Sequence, residues 1–502
     1  MSYAILSEHY RRLSHLRHLE AFVSWDEAVC MPKGGGPARG EALSTLRGLI
    51  HQHLVREDMA ELMAAAYAEA ANLSPWQAAN LREMEKEWKR AAALPLSLVE
   101  AMSLAESRSE QAWRELRAAN DFAGFLPFFR EVVRLKQEAA QALGQALSLE
   151  PYDALLDGFE PGARAAWIRP LFARLQAVLP DLLQRAMERQ AREPAVVAPG
   201  PLSPERQRQL NLEVMRRIGF NFDHGRLDIS HHPFCGGVPT DVRITTRYDP
   251  EDFADSLLGV VHETGHAKYE QNLPAQWLDQ PVGRARGMGF HEGQSLFWEM
   301  QVFRSRAFLE FLSPLLLTAF QDAPLSSPAA LGPDNLLRCF VRVRPGLLRV
   351  GADEVSYPFH VILRFELEKS LFGGALRPEE IPEAWDMGMQ KLLGISTKGN
   401  HRDGCLQDVH WPAGLFGYFP GYTLGALTAA QLFRAVHRAH PDLPEQIRQG
   451  EFQTMNRWLR DKVWGQGSFL EGPALIERAT GAPLDTEAFE QHLERRYLRS
   501  EA

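Results

Sequence analysis

From residue 3 to about 192, apolar side chains recur at three- and four-residue spacing, as in Leu126, Phe129, Val132, Val133 and Leu135, on a background of Ala, Leu, Glu, Arg and Gln. That spacing gathers the apolar set on one face of an α-helix, so this stretch predicts helix after helix. Clustered Pro and Gly interrupt it at 31–36, 157–162 and 194–204, where a helix cannot continue. The last break is the expected boundary between an N-terminal helical lobe, about 1–200, and a second lobe, about 201–502. Strict alternation appears at 238–248, where Val242 and Ile244 alternate with Arg243 and Thr245 as a half-buried strand requires. Helical spacing then returns, with loops near 323–335 and 412–421. The pattern predicts a mainly α chain with a small β-sheet.

Composition narrows the class. The 502 residues are 45% apolar and 24% charged, enough for a large buried core. With 55 Lys and Arg against 64 Asp and Glu, the formal charge is -9, which argues against a partner bound through phosphates; nucleic acid is not expected. Cys30, Cys235, Cys339 and Cys405 are too scattered for a metal knuckle or a disulfide framework. No apolar run matches a signal peptide or a membrane span, so a soluble cytoplasmic protein with no membrane partner is expected.

The chemistry concentrates at Val260-Val261-His262-Glu263-Thr264-Gly265-His266. On a helix, imidazoles four residues apart project from one face toward a single cation, while Glu263 is offset enough to act as general base on a water without itself coordinating. Asp249 is the expected N-cap of that helix and Pro250 its first residue. A hydrolytic zinc site needs a third protein ligand and an open fourth position. Phe290-His291-Glu292-Gly293-Gln294-Ser295 opens another helical run, and Glu292 is the expected third ligand. His291 competes for that role, but adjacent helical residues point about 100° apart, so only one of the two can aim at the ion. Zinc is the expected metal. Acting as Lewis acid, such an ion suits peptide hydrolysis.

Five segments resemble one family, the M32 metallocarboxypeptidases: Asp241-Val242-Arg243-Ile244-Thr245, His262 to His266, His291-Glu292-Gly293-Gln294, Leu348-Arg349-Val350-Gly351-Ala352-Asp353 and Gly404-Cys405-Leu406-Gln407-Asp408-Val409-His410-Trp411. Trp25-Asp26 and Tyr152 to Asp157 are similar too, so the likeness spans most of the chain. It implies a single large helical domain with a deep active-site groove, a gluzincin architecture shared with neurolysin and angiotensin-converting enzyme, and a homodimer. It also implies release of single C-terminal amino acids with broad specificity, dependent on a divalent metal for which cobalt and manganese stand as alternatives to zinc. The metal ligands map onto His262, His266 and Glu292, and the catalytic carboxylate onto Glu263. By analogy with related gluzincins, His410 and Tyr422 are expected to stabilise the oxyanion. Arg349, and after it Arg243, is expected to bind the substrate carboxylate, with Asp241 and Gln407 orienting groups around the site. Pro358, soon after Asp353, must then fall in the first turn of the next helix.

Other readings stand beside these. An oligopeptidase or dipeptidyl carboxypeptidase shares the metal chemistry, and a metal-stabilised dimeric scaffold needs no turnover. Either arginine could instead form a structural ion pair. Cys235 reads as a small buried residue, and His224, His231, His232, His360 and His401 as ordinary histidines.

Overall fold

The structure, a computed structural model, describes residues 2–230 and 232–499; His231 lies outside them. Among the described residues eight α-helices precede the expected lobe boundary: α1 (Ser2–Val29), α2 (Gly36–Leu54), α3 (Met59–Ala68), α4 (Pro75–Ala92), α5 (Leu96–Ala118), α6 (Phe122–Leu147), α7 (Pro151–Phe159) and α8 (Ala165–Gln190). After it come α9 (Pro204–Ile218), α10 (Phe253–Gln271), α11 (Gly287–Leu296), α12 (Arg306–Ala319), α13 (Pro333–Phe340), α14 (Tyr357–Phe372) and α15 (Ile381–Leu393). The chain closes with α16 (Pro420–Ala439), α17 (Leu443–Arg448), α18 (Gln453–Lys462), α19 (Gly472–Thr480) and α20 (Glu487–Leu498). The fold is thus the mainly helical one expected, and the breaks at 31–36, 157–162 and 194–204 each separate two helices. Among the described residues no helix is long and apolar enough to cross a membrane.

Among the described residues three strands, β1 (Gly225–Ile229), β2 (Phe234–Val238) and β3 (Asp241–Thr246), form one sheet in the order β1-β3-β2, β1 parallel and β2 antiparallel to β3. The single strand expected over 238–248 is therefore shorter: Val238 ends β2, and a turn at 239–240 separates it from β3. Gly237 makes that hairpin close, since a Cβ there would lie 2.2 Å from the Asp241 carbonyl oxygen. Val242 and Ile244 turn inward onto Val260 and Ala267 of α10, so the sheet backs the helix that carries His262 and His266.

Two other local readings need correction. Helix α10 begins at Phe253 rather than at Pro250; Asp252 is the N-cap, accepting from the N–H groups of Ala254 and Asp255. Asp249 instead accepts from Glu251 N–H in the preceding turn, because a short acidic side chain can close such a turn as readily as cap a helix. The loops placed at 323–335 and 412–421 end earlier, with α13 starting at Pro333 and α16 at Pro420, each opened by a proline whose missing N–H costs nothing there. Pro358 occupies the first turn of α14, the position at which a helix tolerates proline.

A small core from α1 to α4, including Tyr10, Leu13, Met63 and Met84, packs apart from the main core, which runs from Phe122 to Tyr497 without a break near 200. Between α4 on one side and α10 and α11 on the other lies a cavity of about 810 Å³.

Candidate metal centre

The close crossing of α10 and α11 is made possible by glycine. A Cβ on Gly265 would stand 2.6 Å from Gln294 O and Ser295 Cα, so only glycine lets the two backbones approach. That crossing brings Glu292 over the imidazoles: its Oε2 lies 3.4 Å from His266 Nε2 and its Oε1 3.9 Å from His262 Nε2. One donor atom from each of the three falls within 4.8 Å of the others.

Both imidazoles use their far nitrogen on protein. His262 Nδ1 is 2.8 Å from Glu299 Oε2, and His266 Nδ1 is 2.7 Å from His291 Nδ1. The Nε2 atoms are left to face inward, as metal ligation requires. Burial pulls His262 down, but Glu292, Glu299 and Glu263 outweigh it and raise the imidazole well above its ordinary value. Burial pushes Glu292 up, but His262 and His266 hold it down near 2. His266 is lowered, chiefly by burial and with a contribution from His291. The pocket thus concentrates negative charge around a point where three donors meet. Two nitrogens and one carboxylate oxygen fit a divalent cation with a coordination position to spare.

Glu263 lines the same cavity and, among the described residues, has no hydrogen-bond partner. Tyr422, at the start of α16, also lines it; its hydroxyl is 3.2 Å from Nε2 of His410, which stands behind. Burial and the Arg349 guanidinium pull His410 down to about 4, so it is neutral. Burial, together with Tyr357 and Tyr418, pushes the Tyr422 phenol up and keeps it a donor.

Arg349 does not face the cavity directly. Its Nη2 lies 2.8 Å from Asp408 Oδ1, its Nη1 donates to the Tyr357 hydroxyl at 2.7 Å, and its guanidinium packs 4.8 Å from the Tyr422 ring centre. Arg364 holds the other oxygen of Asp408. Gln407 accepts from Arg349 N–H and donates to the carbonyls of Leu347 and Asp403, fixing this turn. Arg243 is elsewhere: it pairs with Asp241 and stacks on Phe22 and Trp25 of α1, 4.5 Å from each ring centre, on the sheet face away from α10. Cys235 lines the cavity, and burial raises its thiol far above the usual range, so it is held as an uncharged SH.

Sequence reasoning missed Glu299, Asp408 and Tyr357, and left His291 only as a rival ligand. Glu299, seven residues after Glu292, was within reach of a helical-face argument. The partners of Asp408 and Tyr357 are 59 and 8 residues away from them through loops, where periodicity carries no signal.

The helical fold, the imidazole pair on α10 and the carboxylate from α11 together define a metallopeptidase of the gluzincin-like, all-α class. The family model of the Carboxypeptidase Taq (M32) metallopeptidases matches residues 5–497. Thermostable carboxypeptidase 1 of Thermus thermophilus is 38% identical over 506 positions, covering 99% of this chain and 98% of its own. Metallocarboxypeptidase 1 of Trypanosoma cruzi superposes with a TM-score of 0.96 at 41% identity, over 99% of each chain. The apo-Mg structure of Pyrococcus furiosus carboxypeptidase gives 0.93 at 33%, again over 99% of each. The chain belongs to the M32 family of metallocarboxypeptidases and is a peptide hydrolase.

Proposed function

We propose that the protein removes single amino acids from the free C-termini of peptides, with broad side-chain tolerance and Glu263 as general base. The convergence of His262, His266 and Glu292 beside an unpartnered carboxylate carries this reading. These three residues would hold one divalent cation, zinc by the character of the donors, which supplies Lewis acidity toward water and the scissile carbonyl.

Glu263 then takes the proton of the attacking water and delivers it to the departing amine. The Tyr422 hydroxyl donates to the carbonyl oxygen as negative charge grows on it. With its proton on Nε2, His410 donates to Tyr422 and turns the phenolic hydrogen toward the cavity.

The two arginines differ in charge balance. Arg349 and Arg364 share the single carboxylate of Asp408, which leaves one net positive charge behind Tyr422, suited to a terminal carboxylate. Arg243 is neutralised one-for-one by Asp241. Arg349 is therefore favoured as the source of attraction for the substrate's end. The size of the cavity and its mixed charged and apolar lining support broad specificity.

The deciding experiment follows an unmodified peptide by mass after incubation with metal-loaded protein. A ladder of single losses from the C-terminus is expected, and a C-terminally amidated copy should be spared. Internal fragments, or equal cutting of the amide, would favour an oligopeptidase instead.

A further inference from the structure

Behind the two imidazoles the site is built asymmetrically. On the His266 side, His291 Nε2 reaches Glu270 Oε1 at 2.8 Å, and with side-chain exposures of 29% and 25% that arm meets solvent at once. His262 starts a buried chain of charges. Glu299, which holds its Nδ1, gives its other oxygen to Arg304 Nη2 at 2.6 Å. Arg304 Nη1 faces Glu354 Oε1 at 3.5 Å. Glu354 in turn accepts from His492 Nε2 and Arg496 Nη1 of α20, both at 2.8 Å. Arg496 also donates to the carbonyl of Met300. From Glu299 outward, no side chain of this chain is more than 12% exposed.

The backbone is adapted to it. Residues Phe297–Phe303 form a π-helical segment, and Arg304 N–H donates to the Glu299 carbonyl at 3.3 Å. Where bonds close five residues apart, the side chains of residues 299 and 304 stack; on a regular α-helix they would diverge by about 140°. Such turns are unfavourable and recur at functional sites. A buried ionic chain is likewise a poor way to stabilise a fold, since apolar replacements of similar shape commonly do as well. Burial pushes Glu354 up, yet Arg496, His492 and Arg304 hold it down near 2, so the chain keeps its alternating charges.

We propose that Glu354, with Arg304, His492 and Arg496, forms a positioning network through which the C-terminal helix α20 fixes the orientation of His262 and so sets metal affinity. Glu299 can turn only if Arg304 releases it, and Arg304 is pinned by a carboxylate that α20 grips twice. The inference rests on His262, His266 and Glu292 being the metal ligands.

The test uses full-length protein stripped by chelator, with zinc affinity read by competition against a chromophoric chelator and ligand geometry by the visible spectrum of the cobalt(II) form. Glu354→Gln should weaken zinc binding about tenfold and alter the cobalt bands, while circular dichroism of the metal-free protein is unchanged. If that variant does not fold, His492→Gln, at the outer end, should weaken zinc about threefold. A folded variant of either kind with wild-type zinc affinity overturns the proposal. His262→Ala separates the two levels. Lost binding there, with Glu354→Gln unaffected, rejects only the network, whereas wild-type affinity in His262→Ala rejects the metal site itself.

Discussion

Gly425 of α16 lies directly against Glu292 of α11: a Cβ at position 425 would stand 2.9 Å from both Cβ and Cγ of the proposed metal ligand. The carboxylate is thus aimed by a contact that only a hydrogen atom permits. Gly425→Ala should cost about 1–3 kcal/mol in overpacking and push Glu292 off its position. We expect metal affinity to fall about tenfold, measured by chelator competition, with helical content intact.

Glu263 and His262 are neighbours with separable roles. Glu263→Gln should retain metal, measured by elemental analysis, and lose about 10²–10⁴-fold in kcat. His262→Ala should lose both. Undiminished turnover by metal-loaded Glu263→Gln would remove it as the base.

Tyr422 offers one hydroxyl to the cavity. Loss of a single oxyanion donor commonly costs about 10²–10³-fold in kcat, so Tyr422→Phe should show that drop with little change in KM. A rise in KM alone would assign the hydroxyl to ground-state binding.

Metal uptake should release a proton near neutral pH. In the metal-free protein the surrounding carboxylates raise His262 so that it is protonated, and ligation requires the neutral ring. Calorimetric titration in buffers of different ionisation heats should report about one proton released per ion. Uptake without release would show that His262 is already neutral.

Glu160 gives a separate dependence on pH. Burial raises its carboxyl to about 7, against the lowering effect of Gly289 N–H and Arg286. Between its ordinary value of 4.5 and 7 the folded chain keeps a proton that the unfolded chain gives up. The stabilisation is therefore full below the lower value and lost as pH rises through the upper, about 3 kcal/mol in all. Glu160→Gln, which cannot ionise, should match the wild type in melting temperature near about pH 5 and exceed it near about pH 8. Parallel melting curves at both pH values would contradict a raised carboxyl.

The sequence alone determined whatever rests on local periodicity and on residue type at fixed spacing. That covers the helical class, the breaks between helices, the imidazole pair of His262 and His266, and the carboxylates Glu263 and Glu292. These are legible because a helix converts spacing into direction, so a four-residue interval already states which way two side chains point. Even there, the expected cap Asp249 gave way to Asp252, since both are short acids that serve a turn or a helix end equally well. What only tertiary structure decided is charge balance and aim. Arg349 and Arg243 look alike in sequence, yet one shares Asp408 with Arg364 while the other is matched by Asp241 and stacked on α1. The α20 residues behind His262 lie some 230 positions beyond it, and only the folding of α20 against the π-helical segment joins them. Electrostatic interaction depends on distance through space and on burial, and neither can be read from separation along the chain.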